Sequence, residues 1–164
     1  MKKNNKIILS LLGIFLGFFS LQAQIIEAPD WKFTVTASED GSEGHLSLEF
    51  EAEIPEGWYM YSSDFSEEVG PMVTEFSFVP SEDYELQGEV VPVGRKEKYD
   101  ELWGGEYTYF TGSAHFRQEV LVTGEQPEFQ GSISYQICSD ETGQCIPYET
   151  PFHFDAEGIS LLQD

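Results

Sequence analysis

Cysteine is scarce in this 164-residue chain, which has two, Cys138 and Cys145. A small scaffold held together by many disulfides is therefore excluded. Positive charge is also scarce, with 8 Lys and Arg against 30 Asp and Glu, which argues against nucleic acid or an anionic membrane surface as a partner. The three histidines, His45, His115 and His153, show no ligand spacing, so no metal site is expected. No Gly-rich phosphate loop, nucleophile elbow or catalytic carboxylate pair is present, and no cofactor is expected.

Long apolar runs are missing as well, except at the start. Lys2, Lys3 and Lys6 form a positive segment ahead of an apolar run over residues 7–21, and Gln22-Ala-Gln24 offers a cleavage point. This is the layout of a secretory signal peptide, assigned to residues 1–23. The run is too short and too poorly flanked for a membrane span, and no other segment is long enough, so no span is expected after cleavage. Residues 24–164 then form one exported, soluble domain, large enough for a proper core. Loss of the three N-terminal lysines leaves five basic residues against thirty acidic ones, a formal charge of −25. Solubility is the simplest reading of that acidity. In an oxidising compartment two cysteines normally pair.

The dominant period in the rest of the chain is two. In His45-Leu-Ser-Leu-Glu-Phe-Glu-Ala-Glu-Ile54 the apolar residues Leu46, Leu48, Phe50, Ala52 and Ile54 share one face and Ser47, Glu49, Glu51 and Glu53 the other. Similar alternation runs over 32–37, 72–79, 84–93, 107–122, 132–138 and 145–154, with turn residues such as Pro55-Glu-Gly57, Gly70-Pro71 and Gly104-Gly105 between the runs. No long amphipathic helix is evident. The expectation is an all-β, immunoglobulin-like antiparallel sandwich of about seven to nine strands, with a loosely held tail over 157–164.

Strand parity places the cysteines. Ile133, Tyr135 and Ile137 share the apolar face, so Cys138 falls on the other with Ser134 and Gln136. Beyond the loop, Ile146, Tyr148, Phe152 and Phe154 are the apolar set, and Cys145 falls on the other face with Pro147, Glu149, Pro151 and His153, provided neither proline introduces a bulge. Ser139-Asp-Glu-Thr-Gly-Gln144 suits a hairpin loop that would bring the two cysteines opposite each other. A disulfide closing so short a loop contributes only about 2.5 kcal/mol, so a purely structural bond and one built for exchange both remain open.

At these residues a family resemblance enters. Tyr135-Gln-Ile-Cys138 with Cys145-Ile-Pro-Tyr-Glu-Thr150 resembles the cysteine motif of the N-terminal periplasmic domain of the thiol:disulfide interchange protein DsbD, Tyr-Gln-x-Cys followed by Cys-Tyr-Pro-Pro-Glu-Thr. Gly57-Trp-Tyr-Met-Tyr61 is similar to that family's Gly-Tyr-Tyr-Leu-Tyr strand, and Asp100-Glu-Leu-Trp-Gly104 to its Asp-Glu-Phe-Tyr-Gly cap loop. The motifs occur in the same order and span essentially all of the mature chain. Here the cysteine loop is one residue longer, Ile146-Pro-Tyr stands for Tyr-Pro-Pro, and Leu102 stands for the cap phenylalanine.

The resemblance implies an immunoglobulin-like periplasmic module that passes reducing equivalents by thiol–disulfide exchange, a component of protein-disulfide reductase type. By position Cys145 is the cysteine that forms the mixed disulfide and Cys138 its resolving partner. Leu102 and Trp103 take the place of the aromatics that cap the sulfurs, Tyr59 and Tyr61 line the site, and Asp100 and Glu101 are the acidic pair beside it. The implied partners are thioredoxin-like periplasmic oxidoreductases and a membrane electron donor, here expected to be encoded separately because the chain carries no membrane or thioredoxin-like segment of its own.

Elementary chemistry agrees with those roles. Exchange needs a thiolate, in-line access to a sulfur and protection from stray thiols. Asp100, Glu101, Asp140 and Glu141 would disfavour a nearby thiolate by like-charge repulsion. Arg95, Lys96 and Lys98 precede the cap, where solvation of a loop is the simpler account and steering of an acidic partner the other. The alternative function is an exported binding or assembly module whose hairpin disulfide is structural.

Overall fold

A computed structural model describes residues 28–38 and 41–156; the expected signal segment and the 157–164 tail lie outside these residues. Ten strands appear among the described residues: β1 (Asp30–Ala37), β2 (His45–Glu53), β3 (Trp58–Tyr61), β4 (Glu75–Phe78), β5 (Tyr84–Pro92), β6 (Lys96–Asp100), β7 (Gly105–Thr111), β8 (Ser113–Val122), β9 (Glu128–Ser139) and β10 (Cys145–Asp155). They form two antiparallel sheets, one ordered β1-β2-β8-β5 and the other β10-β9-β3-β7-β6, with β4 also paired to β9. This is the immunoglobulin-like sandwich that the alternation predicts.

The strand count exceeds the expected range for physical reasons that can be named. The run over 107–122 is two strands in different sheets, because Gly112, at φ 76°, takes a left-handed conformation that lets the chain cross from β7 to β8. Strand β3 has no polar alternation, since Tyr59 and Tyr61 pack on the outer face while Met60 enters the core. Strand β6 lies at a sheet edge with most of its residues exposed, so it has no apolar face to signal it.

The core between the sheets is aromatic. Phe50 is fully buried and meets Phe76 at 5.0 Å and Phe152 at 5.2 Å on the opposing sheet. Phe116 meets Phe76 and Phe110 at 5.1 Å each, and Trp31 meets Tyr135 at 5.3 Å. These contacts cross from one sheet to the other and fix their spacing.

The outer face of the smaller sheet is not uniformly wet. Ser47 and Glu49, assigned by alternation to the polar face of β2, are both buried. Glu49 accepts hydrogen bonds from His115 Nε2 at 2.6 Å, from Arg117 Nε at 3.0 Å and from Ser47 Oγ at 3.0 Å. Burial works against its charge, but His115, Ser47 and Arg117 outweigh that and hold the carboxyl below its ordinary 4.5. A depressed carboxyl stabilises the fold above its unfolded-state value, and the contribution is lost as pH falls. Glu49→Gln should therefore cost about 1–2 kcal/mol at neutral pH. That deficit should shrink as denaturant titrations are repeated below pH 4.5.

Candidate functional site

Strands β9 and β10 form a hairpin with unbroken register from Cys145 opposite Cys138 to Asp155 opposite Glu128, so neither Pro147 nor Pro151 shifts the phase. Residues 139–144 close it. The Ser139 carbonyl accepts from the Gly143 N–H at 2.9 Å, the Gln144 carbonyl accepts from the Ser139 N–H at 2.9 Å, and the Ser139 hydroxyl accepts from the Thr142 N–H at 3.3 Å. Cys138 and Cys145 are joined in a disulfide, with their Cα atoms 4.1 Å apart.

Both cysteines lie on the face of the sheet that looks away from the sandwich core, yet their surroundings differ. Cys145 is exposed, whereas Cys138 is 1% exposed. Outward parity therefore does not mean accessible. Cys138 belongs to a second buried cluster with Tyr61 and Tyr107, against which Tyr59, Phe65, Val69 and Tyr109 pack. Of the two cysteines, only Cys145 is in contact with solvent.

Tyr59 sits directly beside Cys138 on β3, and its hydroxyl lies 3.3 Å from that of Tyr61. Tyr61 meets Tyr107 at 5.2 Å, and Tyr107 meets Tyr109 at 5.8 Å. Burial and then the hydrogen bond with Tyr59 push the Tyr61 hydroxyl well above the ordinary tyrosine value. Tyr107 is also raised by burial, with the Lys98 ammonium opposing. Both phenols are therefore neutral hydrogen-bond donors across the physiological range.

The turn between β6 and β7 carries the other expected site residues. Asp100 Oδ1 accepts the backbone N–H of Leu102 at 2.8 Å and of Trp103 at 3.1 Å, and the Asp100 carbonyl accepts the Gly104 N–H at 2.8 Å. Asp100 thus folds the loop as well as placing a charge near Tyr61 and Tyr107. The Trp103 indole meets Tyr107 at 6.5 Å and lies over Gly70, where an added Cβ would come within 3.0 Å of the ring. Gly70 also has φ 107°, so a side chain there would meet both the ring and backbone strain. Leu102 is 86% exposed and Glu101 is exposed. Trp103 therefore joins the edge of the tyrosine cluster, while the Leu102 side chain stands in solvent.

Several residues of this site were not legible in the sequence as site residues. Tyr107 and Tyr109 read as ordinary strand positions, and Phe65, Val69 and Gly70 as loop. The signal was the spacing Tyr107, Tyr109, Thr111, which places all three on the outer face once Phe110 is known to be in the core. The basic segment also differs from a solvated loop: Arg95 binds Asp64 and Glu97, and the Lys96 ammonium donates to the Thr111 hydroxyl.

Fold and site together define a class: a β-sandwich domain with a hairpin disulfide, one cysteine exposed and the other buried among tyrosines. Residues 22–156 match the family model described as the thiol:disulfide interchange protein DsbD, N-terminal. The chain belongs to that family of thiol–disulfide exchange domains. Among solved structures it is similar to the Neisseria meningitidis DsbD N-terminal domain in the reduced form, with TM-score 0.45 and 21% identity over 77% of this chain and 84% of that one. It is also similar to a chain of the complex between the DsbD N-terminal and PilB N-terminal domains of Neisseria meningitidis, with TM-score 0.47 and 16% identity over 75% of this chain and 80% of that one. No curated protein matches the sequence significantly. Among the described residues no helix is long and apolar enough to cross a membrane.

Proposed function

We propose that this protein is a periplasmic carrier of reducing equivalents, receiving them from a membrane electron donor and passing them to thioredoxin-like oxidoreductases through the Cys138–Cys145 pair. The observation that carries the reading is the unequal exposure of the two cysteines, since exchange requires one that a partner can reach and one held back to resolve the mixed disulfide. Cys145 is the attacking and attacked sulfur, and Cys138 resolves. Tyr59 and Tyr61 wall the site on the β3 side. Leu102 and Trp103, apolar and exposed beside it, are the surface that a partner meets or that closes over the pair, while Asp100 and Glu101 keep stray thiolates away by repulsion.

The test is a reconstituted relay. Electrons from a reduced thioredoxin-like donor to an oxidised thioredoxin-like acceptor should move faster when catalytic amounts of this protein are added, and the acceleration should vanish when Cys145 is replaced by serine. No acceleration with any donor and acceptor pair, together with a disulfide that stays oxidised in their presence, would instead favour a binding module with a structural bond.

A further inference from the structure

The outer face of the larger sheet runs continuously from the disulfide to the basic edge strand. Cys145 lies beside Cys138 and Cys138 beside Tyr59; Tyr61 lies beside Tyr109 and Tyr109 beside Lys96; Tyr107 lies beside Lys98. Of the three cations in this segment, Arg95 is engaged by Asp64 and Glu97 and Lys96 by Thr111. Lys98 faces the site instead: it stands directly opposite Tyr107 in the β6–β7 pairing, exposed on the same face of the sheet, with Tyr107, Asp140 and Tyr59 the groups that act on its charge. Tyr107, 4% exposed, shares one buried cluster with Tyr61 and Cys138. A positive charge on the edge strand thus stands beside a buried tyrosine that belongs to the packing around the inaccessible cysteine.

Opening the disulfide creates a need for such a charge. The incoming thiolate forms a bond to Cys145 Sγ, the Cys138–Cys145 bond breaks, and its electron pair leaves on Cys138 Sγ. The incoming sulfur is oxidised to the disulfide level and Cys138 is reduced to a thiolate. That anion appears in a water-poor pocket of aromatic rings with Asp100 and Asp140 at its rim, where an uncompensated charge is costly.

We propose that Lys98, acting through the Tyr107 hydroxyl, is a positioning residue that stabilises the Cys138 thiolate while the disulfide is open. The inference rests on the exchange function proposed above. An exposed lysine beside Tyr107 is protonated throughout the range in which a cysteine thiolate ordinarily forms, so its charge is available when the disulfide opens. The other titratable groups facing the pair are Tyr59 and Tyr61 from β3, Tyr109 from β7, Asp100 from β6 and Asp140 from the hairpin loop. The buried phenols of Tyr61 and Tyr107 stay neutral donors, while the two carboxylates oppose the thiolate, Asp140 being partly offset by Lys98.

The experiment uses a Cys145→Ser protein, in which Cys138 is the single thiol, and follows the Cys138 Cβ chemical shift against pH. Adding Lys98→Gln should move the titration midpoint upward by about one pH unit, and Lys98→Arg by much less. Tyr107→Phe should shift it in the same direction as Lys98→Gln. In the two-cysteine protein, Lys98→Gln should slow opening by dithiothreitol about fivefold. Lys32→Gln, on β1 of the other sheet, controls for net charge. A midpoint that moves no further in Lys98→Gln than in Lys32→Gln overturns the inference, even if the relay works. A failed relay with the shift intact overturns the proposed function and leaves the Lys98 assignment standing.

Discussion

A Cys138→Ser variant, which keeps Cys145, is expected to accumulate a mixed disulfide when challenged with an oxidised thiol partner, and a Cys145→Ser variant is expected not to. The physical basis is access. Cys145 begins β10 at the mouth of the hairpin and is exposed, so it is the cysteine of the pair that a partner can reach first. Cys138 has 1% of its surface exposed and lies beneath Tyr61 and Tyr107, so reaction there must wait for local opening of that cluster. The rates of modification of the two lone thiols by a small disulfide reagent should differ on the order of 100-fold. Removing a ring that covers Cys138, as in Tyr61→Ala, should raise the slow rate toward the fast one. Equal rates in the two single-cysteine variants would remove the ground for assigning distinct roles.

The second large effect concerns what holds the domain together. Phe50→Ala should destabilise the protein by about 3–5 kcal/mol, because the ring is fully buried and touches aromatic residues of both sheets. In thermal unfolding this corresponds to a midpoint roughly 10–20 °C lower. Reduction of the disulfide should cost less, about 2.5 kcal/mol, because it closes only the short loop of one hairpin. The order of these two effects is the informative part: a pair that cycles between oxidised and reduced forms is compatible with a fold whose stability resides elsewhere. A reduced protein less stable than Phe50→Ala would assign the bond a structural role.

How much of this could be read from the sequence depended on whether a residue's neighbours were local. The sandwich followed from alternation because each face of β2, β8 and β9 carries its own signal, and the hairpin disulfide followed because its partners are separated by a few residues. Alternation also gave the correct face for Cys138. It could not reveal burial on that face, which depends on Tyr61 and Tyr107 arriving from strands far away in the chain. Glu49 is the same case on the other sheet: its polar-face position was legible, but its burial required His115 and Arg117 from β8. The short strands β3 and β6 carry no period because one packs aromatics on both faces and the other packs little on either. Motif resemblance supplied what periodicity lacked around Tyr59 and Asp100. Neither pointed to Tyr107, Gly70 or Lys98, whose relation to the disulfide is set by cross-strand register and loop packing.

The central claim is that the Cys138–Cys145 bond is made to be opened and closed, and its equilibrium reduction potential tests this most directly. Measured in redox buffers of defined poise, the potential should lie above about −300 mV, in the range of disulfides that exchange with thioredoxin-like proteins. A potential well below that value would identify a structural bond and contradict the carrier function.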